Sequence, residues 1–279
     1  MILPLLWTWL RPGFFIPVFF LLPAWLELPA QTSWSETSSS ALGGAYVTLE
    51  GFSSAALNQA CLGPGEQNSI CLQHCRPYLL KEIGQSSLSA QFFTGTGTLG
   101  FALSTQGIQG LRQSSLWLSY GMKLHPDVHA GMGIHVWNSS LTENWRYHYG
   151  ISFAAGIRIK VHPSWVLACH VANPASWTSL DRLNLSSGMS LAAGFSYSFL
   201  EAGVIFSEIH VKAIYGLSLV QAIKWPFGKG ITLSMGVASN PLTFSWGMAI
   251  KLKPWSLLFA FQYRSHSGTV PFSSISHVW

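Results

Sequence analysis

The chain has 279 residues, of which 49% are hydrophobic and 14% aromatic, but only 9% are charged. Soluble domains are typically about 25% charged, so this composition argues against an ordinary water-soluble domain and indicates that something other than water covers much of the apolar surface. The formal net charge is +5, yet Lys and Arg are spread singly along the chain, which argues against a nucleic-acid partner.

The N-terminal stretch has the features of a secretory signal peptide. Arg11 is the only basic residue before a short apolar stretch that Pro17 and Pro23 interrupt, and a small-residue site follows at Ala30. A membrane-spanning helix needs about 20 continuous apolar residues, and the two prolines count against one. We therefore expect residues 1–30 to be removed on export.

Three cysteines lie close together after the expected cleavage site, where an exported chain could oxidise a pair. If Cys71 and Cys75 lie in one strand, about 13 Å separates them, which is too far for a disulfide. The spacing therefore leaves open a local disulfide between Cys61 and either of them. A metal site is not expected, because His74 is the only nearby imidazole.

Most of the remaining chain alternates between apolar residues and small or polar ones, which is the pattern of a strand with two different faces. In the segment 151–161, for example, Ile157 lies on the apolar face, and Gly156 lies on the other. The same division recurs in 187–198 and 241–252. We expect arginine at Ile157 to be costly in lipid and serine at Gly156 to be mild.

About 14 segments alternate in this way, each near the 9 to 11 residues that a tilted strand needs to cross the hydrocarbon. They are residues 68–75, 86–95, 97–106, 113–123, 127–137, 149–162, 164–172, 187–198, 200–208, 211–223, 229–238, 241–252, 255–265 and 272–279. The pattern predicts an all-β fold, an antiparallel transmembrane β-barrel of about 14 strands formed by residues 68–279. An even number of strands puts both ends of the barrel chain on one side.

Four turns share a composition of lysine with proline, and three of them also contain tryptophan. They read KLHPD, KVHPSW, KWPFGK and KLKPW, and each follows an even-numbered segment. Proline suits a turn, whereas lysine and tryptophan suit a membrane boundary. These turns are therefore predicted on the periplasmic side, and the longer connections at 138–148 and 173–186 are predicted to face outward.

Two other fold classes fit the pattern less well. A soluble β-sandwich would also alternate, but its exposed face would carry Lys, Glu, Asp and Thr, whereas the second face here is mostly Gly, Ser and Ala. Transmembrane helices would not carry Ser or Gly at nearly every second position, as residues 183–200 do.

The stretch ALGGAYVTLEGFSSAALNQACLG, residues 41–63, resembles the N-terminal signature of the FadL and PorV/PorQ-like outer-membrane proteins. In that family a glycine pair leads to an Asn-Pro-Ala-Gly-Leu box. The matching residues of this motif include Gly43, Gly44, Asn58 and Ala60. The chain departs from the box at Gln59, where the family has proline, and at Cys61, where it has glycine.

The resemblance implies that residues 31–67 form a small hatch inside the lumen of the barrel. It also implies two possible functions in the outer membrane of a Gram-negative bacterium. The FadL branch moves small hydrophobic molecules, so the first expectation is passage or binding of such a ligand. The PorV branch binds sorting domains of secreted proteins in type IX secretion, so the alternative is an accessory barrel that docks a partner through 138–148 and 173–186. Outer-membrane lipid is an expected partner in either case.

No catalytic signature is evident, and we expect neither an enzyme nor a bound cofactor or metal ion. A hydrolase embedded in the barrel would need a serine activated by a positioned base. Residues of these types do lie on the predicted lumen face, as His129, His135, Ser115, Ser119 and the basic Arg158. We interpret them as ordinary lumen residues.

Overall fold

The computed structural model describes residues 36–62, 64, 66–108, 111–141, 146–178, 188–199, 203–212, 216–265 and 268–279. The expected signal peptide, residues 1–30, lies outside the described residues. Within those ranges, no helix is long and apolar enough to cross a membrane.

Fourteen strands form a single closed barrel in which every neighbouring pair is antiparallel. The strands are β1 (Ser69–Cys75), β2 (Gln85–Phe93), β3 (Gly97–Ile108), β4 (Leu111–His125), β5 (Val128–Leu141), β6 (Arg146–His162), β7 (Trp165–Thr178), β8 (Ser190–Phe199), β9 (Gly203–Lys212), β10 (Gly216–Phe227), β11 (Ile231–Ser239), β12 (Leu242–Leu252), β13 (Trp255–Arg264) and β14 (Gly268–Val278). Strand β1 pairs with both β2 and β14, which closes the barrel. The predicted fold class and strand number are confirmed, and each predicted segment overlaps the strand of the same number, although β9 continues into the segment predicted for β10.

The predicted outward loops are wrong over much of their length. Strand β5 continues to Leu141, and β6 already begins at Arg146, so only residues 142–145, outside the described part, separate them. Likewise β7 continues to Thr178. Strands can extend beyond the hydrocarbon, where both faces meet water. There the backbone pairing persists, but nothing selects for alternation.

Two predicted strand ends are also displaced. The turn predicted around KWPFGK lies later, because β10 includes Trp225 and Pro226. Pairing between β9 and β10 ends at Lys224, so the proline lies beyond the part of β10 that has a neighbour on both sides, and its missing N–H is tolerated there. Strand β14 begins at Gly268, four residues before its predicted start.

Neighbouring side chains along a strand differ sharply in exposure. Ile157 is 41% exposed on the outside of the barrel, whereas Arg158 is 6% exposed on the inside. Leu118 and Trp117 divide in the same way, with the leucine outside. The exterior is therefore apolar, and the small and polar residues line the lumen.

One rim of the barrel carries the start of β1, the end of β14 and the turns after even-numbered strands; we call it the terminal rim. Aromatic rings pack against one another along it. The ring centroids of Trp165 and Tyr197 are 4.7 Å apart, and those of Phe199 and Trp225 are 5.4 Å apart. Such rings suit a membrane boundary, because they combine an apolar body with a polar edge.

Residues 36–62, called the luminal segment below, lie inside the barrel. The segment contains the short helix α1 (Thr37–Ser40) and two 3-10 helices, Phe52–Ala55 and Gln59–Cys61. It reaches strands on opposite sides of the wall: Ala41 lies against Gly247 of β12, and Gln59 lies against Gly131 of β5. A segment that touches opposite parts of a closed barrel must cross its interior.

Candidate functional site

The luminal segment is tied to strand β9 through one carboxylate. Glu208 accepts hydrogen bonds from the backbone N–H groups of Tyr46 and Val47, each at 2.9 Å. It also accepts one from His210 Nε2 at 2.8 Å, and its own side chain is fully buried. Hydrogen bonds to an ionised group are roughly twice as strong as neutral ones, so this is a strong tie between segment and wall.

The same Val47 holds the family-like motif in place. Its carbonyl oxygen accepts from Asn58 Nδ2 at 2.6 Å and from Cys61 Sγ at 3.2 Å. Asn58 Oδ1 in turn accepts from the backbone N–H of Ala60 at 3.2 Å, which caps the 3-10 helix Gln59–Cys61. An asparagine cap therefore holds this turn, with Gln59 as the first residue of the helix.

Glycines of the wall allow the luminal segment to approach the strands. Gly156 lies against the side chain of Asn58, and Gly131 lies against the backbone of Gln59; a Cβ at either glycine would overlap these atoms. Gly43 meets the wall from the other side. Its φ of 69° lies in the left-handed region, and a Cβ there would come within 2.9 Å of the backbone nitrogen of Val237, so glycine is required twice over.

Two of the residues predicted to face the lumen contact the luminal segment. Ser119 Oγ donates a hydrogen bond to the carbonyl of Ala55 at 2.6 Å. Arg158 forms an ion pair with Glu50, whose side chain is 48% exposed. Both contacts join the wall to the segment, although the exposed glutamate makes the ion pair the weaker kind.

The other predicted lumen residues do not join them in one site. The hydroxyl of Ser115 lies 2.8 Å from that of Ser104, while His129 is buried and its Nδ1 has no hydrogen-bond partner among the described residues. His135 stacks on Trp117 with ring centroids 4.2 Å apart, and its nearest hydroxyl partner, that of Ser152, is 3.4 Å away. His129 is the cross-strand neighbour of Arg158, whereas Ser115 and His135 contact other residues.

All four cysteines are free in the structure, so the local disulfide that the sequence left open is not formed. Cys71 and Cys75 lie on β1, whereas Cys61 is fully buried in the luminal segment. Burial raises the pKa of the Cys61 thiol, which favours the unreactive protonated form. In the described part of the chain, no group of three or more His, Cys, Asp or Glu residues is placed to hold a metal ion.

Sequence reasoning missed the cluster around Tyr46. The hydroxyl of this tyrosine lies 3.2 Å from His170 Nδ1, and its ring centroid lies 5.1 Å from that of His210. One signal could have found the cluster: a chain with only 10 Asp and Glu residues places Glu208 on the lumen face of a strand. A buried carboxylate needs hydrogen-bond donors, although the sequence does not say which ones.

Neither a protein family nor a curated protein sequence matches the chain. Solved structures share its fold. The toluene transporter TodX of Pseudomonas putida matches with a TM-score of 0.63 and 12% identity over 86% of this chain and 96% of its own. The toluene transporter TbuX of Ralstonia pickettii matches with a TM-score of 0.62 and 11% identity over 87% and 96%. The monoaromatic hydrocarbon channel CymD gives 0.63 and 12% over 87% and 96%.

Identities this low establish a common fold and nothing finer. The architecture is that of a closed antiparallel β-barrel of 14 strands, as in these FadL-type channels. The fold implied by the FadL resemblance is thus confirmed. The PorV/PorQ part of the resemblance stays a prediction.

Proposed function

We propose that this protein binds or passes a small hydrophobic ligand across the outer membrane, with the luminal segment acting as its hatch. The observation that carries the proposal is a buried segment fixed across the lumen, in a fold shared with proteins described as toluene transporters and a monoaromatic hydrocarbon channel. A barrel of about 14 strands is too wide for small inward side chains to fill. The segment occupies that space.

The contacts of the hatch explain why the ligand is expected to be apolar. Leu42 and Leu49 pack against Phe206 and Val220 of the wall, and Leu62 packs in a second cluster around Trp117. An apolar ligand moving between hatch and wall can replace these contacts at little cost. A hydrated solute would have to lose its water there without finding enough polar partners.

The location and processing of the chain form part of the proposal. We infer that residues 1–30 are removed on export, that the mature chain resides in the outer membrane of a Gram-negative bacterium, and that lipid covers its apolar exterior. Intact mass measurement and membrane fractionation test this inference. Recovery of the mature chain in the soluble periplasm would contradict it.

The accessory role in type IX secretion has no structural observation in its favour. It needs outward surface for a partner, yet the described strands β5 and β6 extend into the region predicted as a docking loop. The proposed role is also non-enzymatic, as expected for a channel. His135 pairs with neither Ser115 nor Ser119 among the hydrogen bonds of the described residues.

Uptake in intact cells tests the proposed function. Initial rates of radiolabelled toluene uptake would be compared in Gram-negative cells that express the full protein, a variant lacking residues 41–62, or neither. We expect the full protein to raise uptake above the empty control. In a liposome-swelling assay, we expect the deletion variant, but not the full protein, to admit small sugars. Equal toluene uptake with and without the full protein would overturn the proposal.

A further inference from the structure

A continuous chain of contacts links β9 to β6 through the luminal segment. It begins at Glu208, whose Oε1 accepts from Val47 N, and continues from Val47 O to Asn58 Nδ2. It ends where the Asn58 side chain lies against Gly156. Glu208 therefore binds Val47, and the carbonyl group of Val47 in turn binds Asn58 and Cys61.

Glu208 and the hatch depend on each other. The carboxylate has three donors at 2.8 to 2.9 Å, and two of them are backbone N–H groups of the hatch, from Tyr46 and Val47. A buried charge is costly unless donors surround it. If the hatch moved away, only His210 of these donors would remain, and the Tyr46 and Val47 N–H groups would lose their acceptor.

The other ties between hatch and wall are weaker in kind. Arg158 pairs with Glu50, a side chain that is half exposed, and exposed ion pairs contribute little. Thr37 N donates to the neutral amide of Gln73, and Ser119 donates to a backbone carbonyl. Among the described residues, Glu208 is the fully buried acidic residue of the wall that accepts hydrogen bonds from the hatch.

The surroundings of Glu208 keep its carboxylate aimed at the hatch. His210 donates to one oxygen from two residues along the same strand. The Tyr46 ring packs beside His210 and meets the His170 ring edge-on, with centroids 5.1 Å and 5.6 Å apart. This aromatic packing fixes the backbone of residues 46 and 47 where the carboxylate can accept from both N–H groups.

We propose that Glu208 is the latch of the hatch: it is a positioning residue that holds the hatch across the lumen through Tyr46 and Val47, and breaking these two bonds is the step that opens the barrel. This inference deepens the proposed function. It rests on that function only for the nature of the ligand, because the latch itself controls access to any small probe.

The variant Glu208→Gln tests the latch, with Glu36→Gln as a matched control. Glutamine at 208 removes the charge and replaces one acceptor oxygen by a donor, so at most one of the two hatch N–H groups keeps its bond. Glu36 is equally buried at 1% exposure, but its hydrogen-bond partners, Ser38 and Ser39, belong to the luminal segment itself. The control therefore replaces a buried carboxyl group without cutting a hydrogen bond to the wall; its link to the wall is a longer-range attraction to Lys224 of β10.

Two readouts report the position of the hatch without any hydrocarbon. One is ion conductance in planar bilayers, and the other is maleimide labelling of Cys61 in a chain whose other cysteines are serine. Loss of a charge-assisted bond predicts that Glu208→Gln raises the labelling rate by about tenfold or more. It should also raise the time-averaged conductance, whereas Glu36→Gln should match the parent in both.

Folding is checked by heat-dependent mobility of the barrel in detergent gels. If Glu208→Gln does not fold, Glu208→Asp replaces it, with Glu36→Asp as control, because a shorter carboxylate keeps the charge but reaches the hatch poorly. Opening by the residue-208 variant alone supports the latch. No opening, or equal opening by the residue-36 control, overturns it. Neither readout uses toluene, so failure of the latch and failure of the hydrocarbon function are distinguishable.

Discussion

Gly156 of strand β6 lies directly beneath the side-chain amide of Asn58, and a Cβ at this glycine would overlap Asn58 Oδ1. From the alternation alone, Gly156 is one more small residue on the lumen face, for which serine should be a mild change. The structure gives a reason to expect a local effect on the hatch instead. The site has no room for a side chain, because it is the seat of the hatch motif.

Substitution of Gly156 by serine should therefore displace Asn58 and loosen the hatch. We expect Cys61 in an otherwise cysteine-free chain to react faster with maleimide, while the barrel stays folded. The matched control is Gly133→Ala on β5, where an added Cβ would lie 3.2 to 3.3 Å from the Gln59 side chain, which can turn away. Equal labelling of both variants and the parent would show that Asn58 tolerates a side chain at 156.

Asn58→Ala should destabilise the hatch by removing two bonds at once, the cap of Ala60 N and the bond to Val47 O. Loss of an N-cap alone costs roughly 1 kcal/mol. We expect faster protease cleavage within residues 36–62 in detergent. Asn58→Ser keeps a capping oxygen, so its cleavage rate should lie between those of the parent and Asn58→Ala. Protease resistance equal to the parent's would mean that other contacts hold the turn.

Gln59→Pro, which restores the proline of the family's box, should be tolerated. Residue 59 is the first residue of its 3-10 helix, a position that suits proline, and Asn58 already has the extended φ of −97° and ψ of 106° that a following proline requires. The bond from Gln59 Nε2 to Leu57 O is lost. We expect a melting temperature at or slightly above that of the parent.

The control for this exchange is Ala60→Pro, which removes the N–H that Asn58 caps. This variant should loosen the hatch in the protease assay. If proline at 59 proves as disruptive as proline at 60, the bond from Ala60 N to Asn58 is not what holds the first turn of the helix.

Ile157→Arg should destabilise the barrel by about 2 to 4 kcal/mol if the position is near the bilayer midplane. Ile157 is 41% exposed on the lipid face, whereas the neighbouring Arg158 points inward to Glu50. Guanidinium unfolding in lipid vesicles measures the free energy, and Ile157→Leu serves as the control. An arginine variant as stable as the leucine variant would place residue 157 away from the hydrocarbon.

The sequence alone determined which face of each strand is apolar and how many strands there are. Both features are local: alternation within a strand is set by the backbone, as Ile157 and Arg158 show, and the lipid selects it wherever the strand crosses hydrocarbon. The sequence could not determine where β5 ends and β6 begins. Outside the hydrocarbon, strand residues need not alternate between apolar and polar, so hydrogen-bonded residues there cannot be recognised from the sequence. The resemblance to a known motif pointed to Asn58 and Gly43, but not to what they touch.

Only the tertiary structure decided what holds the hatch. Glu208 and Val47 are 161 residues apart in the chain, and nothing local in either segment indicates that they meet. The parity of β9 placed Glu208 on the lumen face, but its partners depend on the diameter and register of the closed barrel. The role of Gly156 likewise depends on the Asn58 side chain that lies against it. Such a contact between distant parts of the chain produces no periodic pattern in the sequence.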